Sequence, residues 1–224
     1  MTRAQYEQIE AIMLSYMEDS AHDGQHVYRV LRTALEIAKT HREADLDILV
    51  TACLLHDIGR AAQYRDPTVS HAEVGADMAR RHLLAIGWEE ARADRVADAV
   101  RAHRFRSRTK PESIEAQILF DADKLDVTGA MGVARTLLYQ GVVGEPLYRV
   151  DGRGQILDGH EKEPSFANEY VIKLSRLYDN FYTPEATAMA RPRAKAARDF
   201  YENLLSEARG GAPLDARLDE VLNP

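Results

Sequence analysis

The chain has 224 residues, 45% hydrophobic and 29% charged, which is the composition of a soluble globular protein with one sizeable core, or a core and a small appendage. Its formal net charge of −7 argues against non-specific binding to nucleic acid or anionic membranes, which ask for a basic surface. The single cysteine, Cys53, excludes an internal disulfide and any multi-cysteine zinc site.

Nearly every periodic segment predicts helix, so the expected fold class is all-α, a single-domain helical bundle. Tyr6, Ile9, Met13 and Tyr16 give a first amphipathic helix that stops near Asp19-Ser20. A polar turn with His22, Asp23 and Gly24 leads to a second, with Val27, Val30, Leu31, Ala34 and Ala38 on one face; Asp23 is placed to cap it. The third runs through Ile48-Leu49-Val50-Thr51-Ala52-Cys53-Leu54-Leu55 into His56-Asp57 and ends around Gly59. Its stripe Leu49, Ala52, Cys53, His56 carries packing surface straight into an imidazole, with a carboxylate beside it. Cys53 reads as a small core residue in that stripe. Ser70-x-x-Glu73 has the form of a capping box opening a fourth helix. Gly87-Trp88 separates it from a fifth, with Val96, Ala99, Val100 and His103 in register.

A sixth helix is expected from about Ser113 through Leu125, and the small residues Gly129, Ala130 and Gly132 leave its continuation open. The stretch from about 140 to 165 holds Gly141, Gly144, Pro146, Gly152, Gly154, Gly159 and Pro164 and reads as a lid-like loop or a disordered excursion. Helical spacing resumes at Tyr170, Leu174, Leu177, Tyr178 and Phe181, a stripe read as core. A final helix follows from about Glu185 to Ala208, and a loose tail from Gly210. No signal-peptide apolar region follows Met1, and no apolar stretch is long enough to span a bilayer, so the cytoplasm is expected.

Potential ligands cluster on this frame. Buried imidazoles and carboxylates need partners, and a metal ion would serve several at once. The second helix offers His26, the third His56 and Asp57, the sixth Asp121 and Asp123; His71 and His103 lie between them. Residues two apart on a helix point to opposite sides, so only one of Asp121 and Asp123 should reach a common ion. Helix geometry alone leaves that choice open.

Four blocks then carry a resemblance: His22-Asp23-x-x-His26-x-x-Arg29-Val30, Ala52-Cys53-Leu54-Leu55-His56-Asp57-Ile58, His71-Ala72-Glu73, and Asp121-Ala122-Asp123-Lys124-Leu125-Asp126 followed by Gly129-Ala130. In this order the chain resembles the HD-domain superfamily of metal-dependent phosphohydrolases. More narrowly it is similar to a bacterial subfamily of small HD proteins that includes nucleotide pyrophosphohydrolases. The likeness runs from about Tyr16 to the end of the last helix. It implies an HD domain over about 1–208, with an HD core over about 22–127, the lid-like loop over about 140–165, C-terminal helices over about 167–208 and a flexible tail over 209–224.

The resemblance also implies His26, His56, Asp57 and Asp123 as metal ligands, Asp123 being the acid in the family's Ala-Asp-Lys/Arg setting. Two imidazoles and two carboxylates without thiolate suit manganese most, with magnesium, iron, cobalt, nickel or zinc as other occupants. Asp57 would bind metal and orient the attacking water; His103, with Asp57, is a catalytic candidate. His22, His71, Arg104, Arg106 and Lys124 are expected near the substrate. From Arg101 to Lys110 the chain carries five fixed positive charges and no acid, which reads either as a solvated loop or as an anion-binding edge. Arg29 reaches the site or pairs with an acid, Lys124 contacts a phosphate or a neighbouring acid, and His41, His82 and His160 are expected at the surface.

Departures narrow the function. Hydrolases of guanosine tetraphosphate follow His-Asp with an acidic pair, whereas this chain continues Ile58-Gly59-Arg60-Ala61. The Gly-Tyr-Pro motif of cyclic-di-GMP phosphodiesterases is absent, yet His71 and His103 fall in the order in which those enzymes bind a second metal. The leading expectation is therefore a nucleoside triphosphate pyrophosphohydrolase acting on a phosphorylated small molecule, with neither nucleic acid nor membrane as partner. A dinuclear phosphodiesterase or phosphomonoesterase, and a non-catalytic metal- and nucleotide-binding module, are the alternatives.

Overall fold

The computed structural model describes residues 1–17, 24–104, 109–210, 218 and 221–222. The expected cap Asp23, and His22 and Arg106, lie outside the described residues. The helices are α1 (Arg3–Leu14), α2 (Gly24–Ala38), α3 (Leu46–Leu55), α4 (Arg60–Arg65), α5 (His71–Ala85), α6 (Glu90–Ala102), α7 (Ile114–Leu125), α8 (Gly129–Val143), α9 (Phe166–Ile172) and α10 (Pro184–Arg209), with a 3-10 segment over Leu174–Asp179. The fold class is all-α, as the periodicity predicts; among the described residues the only β pairing is an isolated Val150–Ile156 bridge. No helix among them is long and apolar enough to cross a membrane.

Backbone contacts divide the chain into two compact units, Met1–Asp126 with Asn180–Met189, and Val127–Asp179 with Ala190–Pro224. In the first, α3 is the central element, packed against α1, α2, α6 and α7. The sequence suggests an amphipathic stripe, but Ile48, Leu49, Thr51, Ala52, Cys53, Leu54 and Leu55 are all buried. A helix apolar all round is stable when neighbours cover every side, and α3 has them. Asp45 starts it by accepting from the backbone N–H groups of Asp47 and Ile48, which satisfies donors the helix cannot pair internally.

Two expectations about local structure are corrected. Ser70 is the N-cap of α5, yet it makes no capping bond, and Glu73 instead accepts from Arg101. Helix α3 ends at Leu55, before the expected stop around Gly59, and after a turn Gly59 caps a further short helix, α4. Gly59 has an ordinary φ of −82°, so conformational freedom does not explain it. Packing does: a Cβ there would stand 2.2 Å from the His71 carbonyl oxygen and 2.6 Å from the Gly75 nitrogen. The first turn of α5 therefore comes into backbone contact with the turn that follows His56-Asp57. His41, expected at the surface, is largely covered and bridges Glu43 and Glu185 at 3.1 and 3.2 Å. Burial works against its protonation, but these two carboxylates raise its pKa above the ordinary value. His82 is part-buried, bonded to the Tyr16 hydroxyl at 2.8 Å, while His160 is exposed.

The second unit has a core of Val133, Phe166, Tyr170, Leu174, Leu177 and Ala197. Tyr170 stacks on Tyr201 with ring centroids 4.1 Å apart. The loop expected from about 140 begins later, because α8 runs to Val143 and ends at Gly144 in the left-handed conformation. It is held within its unit: Phe166 and Ala167 donate to the carbonyls of Pro146 and Leu147, and the Asn168 amide donates to Gly159 and Glu161.

Candidate metal centre

The first unit brings four histidines and two aspartates together, each delivered by the end of a helix or the turn beside it. His26 lies in the first turn of α2, His56 caps the C-terminus of α3 with Asp57 next to it, and His71 opens α5. His103 caps the C-terminus of α6, and Asp123 sits in the last turn of α7. His26, His56, Asp57, His71 and His103 are each no more than 2% exposed.

Every one of these imidazoles is held by its Nδ1. That atom donates to Asp126 Oδ2 from His26 (2.8 Å), to the Cys53 carbonyl from His56 (2.7 Å), to Gln63 Oε1 from His71 (2.7 Å) and to the Val100 carbonyl from His103 (2.6 Å). The hydrogen-bond pattern assigns a proton to Nδ1 in each ring and turns its Nε2 inward; in a neutral ring of this tautomer Nε2 carries a lone pair. The Nε2 atoms face each other at 3.4 Å between His26 and His56, and at 3.2 Å between His71 and His103. Two lone pairs that close repel unless a cation lies between them.

Asp57 stands in the middle. Its Oδ2 is 3.7 Å from His26 Nε2 and 3.6 Å from His56 Nε2; its Oδ1 is 3.7 Å from His71 Nε2 and 3.6 Å from His103 Nε2. Oδ2 is buried without a hydrogen-bond partner. An orphaned carboxylate oxygen costs far more than a paired one, so something else must serve it. The ligand atoms form two groups, His26–His56–Asp123 and Asp57–His71–His103, each with all atoms within 4.8 Å of one another. Ligands about 2.1 Å from one ion lie roughly 3 to 4 Å apart, so both groups have suitable spacing. The donor set, the spacing and the orphaned oxygen fit a divalent cation.

The electrostatics agree. Burial pushes the His56 imidazole down to about 4. Burial, then the positive charges of Arg60 and Arg104, push His71 down to about 3. Both are neutral near pH 7, the form that binds metal. Burial opposes ionisation of Asp57, yet the Arg60 guanidinium holds its carboxyl well below the usual range. Asp123 is likewise held low against burial by His26, whose Nε2 lies 3.2 Å away and stabilises the carboxylate when it carries a proton.

The geometry separates the two acids that periodicity left open. Asp123 joins His26 and His56, whereas Asp121 accepts from the backbone of Tyr182 and Thr183 and from the Thr183 hydroxyl. Lys124, expected at a phosphate, is 4% exposed, donates to the Asn180 carbonyl at 2.6 Å and lies over the Phe181 ring at 4.7 Å. Its ammonium is turned to the interior of the unit. Arg104 follows His103 directly and its charge is felt at His71.

Three supporting residues escaped the sequence reading. Asp126 orients His26 and is itself gripped by Arg29 at 2.8 and 3.0 Å. The signal was available: Asp126 is three residues beyond Asp123, hence on the same helical face. Gln63 and Arg60, which donates from Nε to Asp57 Oδ1 at 2.9 Å, both lie on α4, a helix the sequence did not announce.

An all-helical unit in which His, His-Asp and Asp converge in chain order defines a class, and comparison with known proteins identifies it. The HD domain family model matches residues 23–128, and the chain belongs to the HD-domain superfamily of phosphohydrolases. It is 32% identical over 212 residues to the uncharacterized protein YpgQ of Bacillus subtilis (strain 168), covering 92% of this chain and 95% of YpgQ. The crystal structure of YpgQ in complex with ADP matches with a TM-score of 0.68 at 29% identity, over 89% of this chain and 96% of that one. A Lactobacillus plantarum protein gives 0.74 at 26% identity (92% and 98%), and an HD-superfamily hydrolase of Bacillus thuringiensis 0.69 at 26% (93% and 99%).

Proposed function

We propose that the chain is a divalent-metal-dependent phosphohydrolase acting on a phosphoanhydride or phosphoester bond of a nucleotide, with pyrophosphate release from a nucleoside triphosphate as the leading reaction. The observation that carries this reading is the convergence of four inward-turned Nε2 atoms on the two oxygens of Asp57, one of them orphaned. The nucleotide rests on the ADP complex of YpgQ and on the resemblance to small pyrophosphohydrolases. His26, His56, Asp57 and Asp123 would hold the ion, manganese being the best match to this ligand set. When bound, a divalent ion supplies Lewis acidity toward phosphorus and lowers the pKa of water.

The protein's own groups do the rest. Phosphoryl transfer asks for positioning and charge neutralisation more than for covalent chemistry. Asp57 accepts a hydrogen bond from the attacking water and orients it. His71 and His103 face the phosphate or the oxygen that leaves, and Arg104 adds positive charge on their side.

The decisive experiment incubates nucleoside mono-, di- and triphosphates and cyclic dinucleotides with manganese, magnesium, cobalt and nickel, and identifies the products. Pyrophosphate from triphosphates supports the leading reaction. Asp57→Ala should cut turnover by at least about a hundredfold; undiminished turnover in that variant would end the catalytic reading. A second reading has one observation in its favour: Asp57, His71 and His103 form a second ligand group, which suits a dinuclear phosphodiesterase or phosphomonoesterase. Hydrolysis of a cyclic dinucleotide in the same panel would favour it.

A further inference from the structure

The two ligand groups that meet at Asp57 are not equivalent. On one side Oδ2 has no hydrogen-bond donor, and a second carboxylate, Asp123, faces the same imidazoles. On the other side Oδ1 already receives the Arg60 guanidinium at 2.9 Å, and the group contains no further acid. A dication at the first group meets two carboxylates. At the second it meets one shared carboxylate oxygen and a positive charge already attached to it, with Arg104 adding another.

We propose that Arg60 decides how many ions the centre holds: its guanidinium stands where a second divalent ion would bind Asp57 Oδ1, so the His26–His56–Asp123 side fills first and tightly, and the His71–His103 side fills only when Arg60 is moved away. Arg60 is placed for this. It is the first residue of α4, three positions after Asp57, and α4 contributes no buried residue, so its backbone tolerates substitution there. Its side chain is 29% exposed and has solvent to swing into. Direct competition for one oxygen and repulsion between like charges a few ångströms apart act in the same direction. With Arg60 in place, the imidazoles of His71 and His103 remain available to the substrate, which favours the mononuclear pyrophosphohydrolase over the dinuclear reading. Arg60 is thus a positioning residue that acts through Asp57.

The inference rests on the metal reading above, and one titration tests both separately. Manganese is titrated into the full chain, freed of metal, by calorimetry, with stoichiometry checked by elemental analysis. Wild type, Arg60→Gln, Arg60→Met and Arg60→Lys are compared, each confirmed helical by circular dichroism. Expected are one tight ion in wild type and a second step at least about tenfold weaker. The second step tightens by at least about tenfold in both neutral variants and is weak again in Arg60→Lys. His103→Ala added to Arg60→Gln should remove the second ion and leave the first. Two equally tight ions in wild type overturn the inference, as does an unchanged second step in the neutral variants, or loss of the first ion in them. No ion in any protein defeats the metal reading itself, and the inference with it.

Discussion

Asp121 and Asp123 stand two residues apart on α7 and do different work. Asp123 belongs to the group around His26 and His56. Asp121 is fully buried and receives three donors, the Tyr182 and Thr183 N–H groups and the Thr183 hydroxyl, at the entry to α10. Burial raises its pKa despite these bonds. The two should therefore fail differently. Asp123→Ala should lose manganese binding and turnover while the fold persists. Asp121→Ala leaves buried donors without an acceptor, which costs about 1–3 kcal/mol per orphaned group. It should lower the thermal midpoint while keeping the metal stoichiometry of wild type. Calorimetry and a melting curve on both variants check the pair; a metal-deficient but stable Asp121→Ala would reverse the assignment. Periodicity could not make this distinction, because it shows that the two acids face apart and leaves open which side holds the ion.

The α3–α4–α5 junction explains what was legible and what was not. Helix α2, which carries His26, was readable because it buries one apolar face long enough to show its period. Central α3 was read as a stripe although every side is covered, since a ten-residue helix shows its neighbours only in the fold. Helix α4 was invisible: it has six residues, buries none of them and follows a glycine, which ordinarily signals a stop. Its contribution is positional, carrying Arg60 to Asp57 and Gln63 to His71. Gly59 makes that possible by letting the backbone pass against α5, where a Cβ would meet the His71 carbonyl at 2.2 Å. Gly59→Ala must push α5 or the His56-Asp57 turn aside. Overpacking of this kind costs about 1–3 kcal/mol. The variant should melt earlier and also bind manganese more weakly, because the crowded turn carries the proposed ligands His56 and Asp57. A loss of stability with unchanged manganese affinity would show that the junction merely packs.

The molecule as a whole concentrates buried polar groups at one point of its first unit, and that concentration links folding to metal. Asp57 and Asp123 are held ionised, and four imidazoles turn their Nε2 atoms inward. Unfolding disperses the four proposed ligands, so an ion bound only by the folded chain stabilises it by RT ln(1 + [M]/Kd). At a hundred times the dissociation constant this is about 2.7 kcal/mol. A chain of this length shifts its melting temperature by roughly 2–4 °C per kcal/mol, so saturating manganese should raise the midpoint by about 5–10 °C over protein stripped with a chelator. His26→Ala should abolish most of that shift, since it removes a ligand together with the Asp126–Arg29 support behind it. Differential scanning calorimetry with and without manganese measures the effect in both proteins. Equal shifts in wild type and His26→Ala would place the stabilising ion elsewhere and break the link between this cluster and the proposed chemistry.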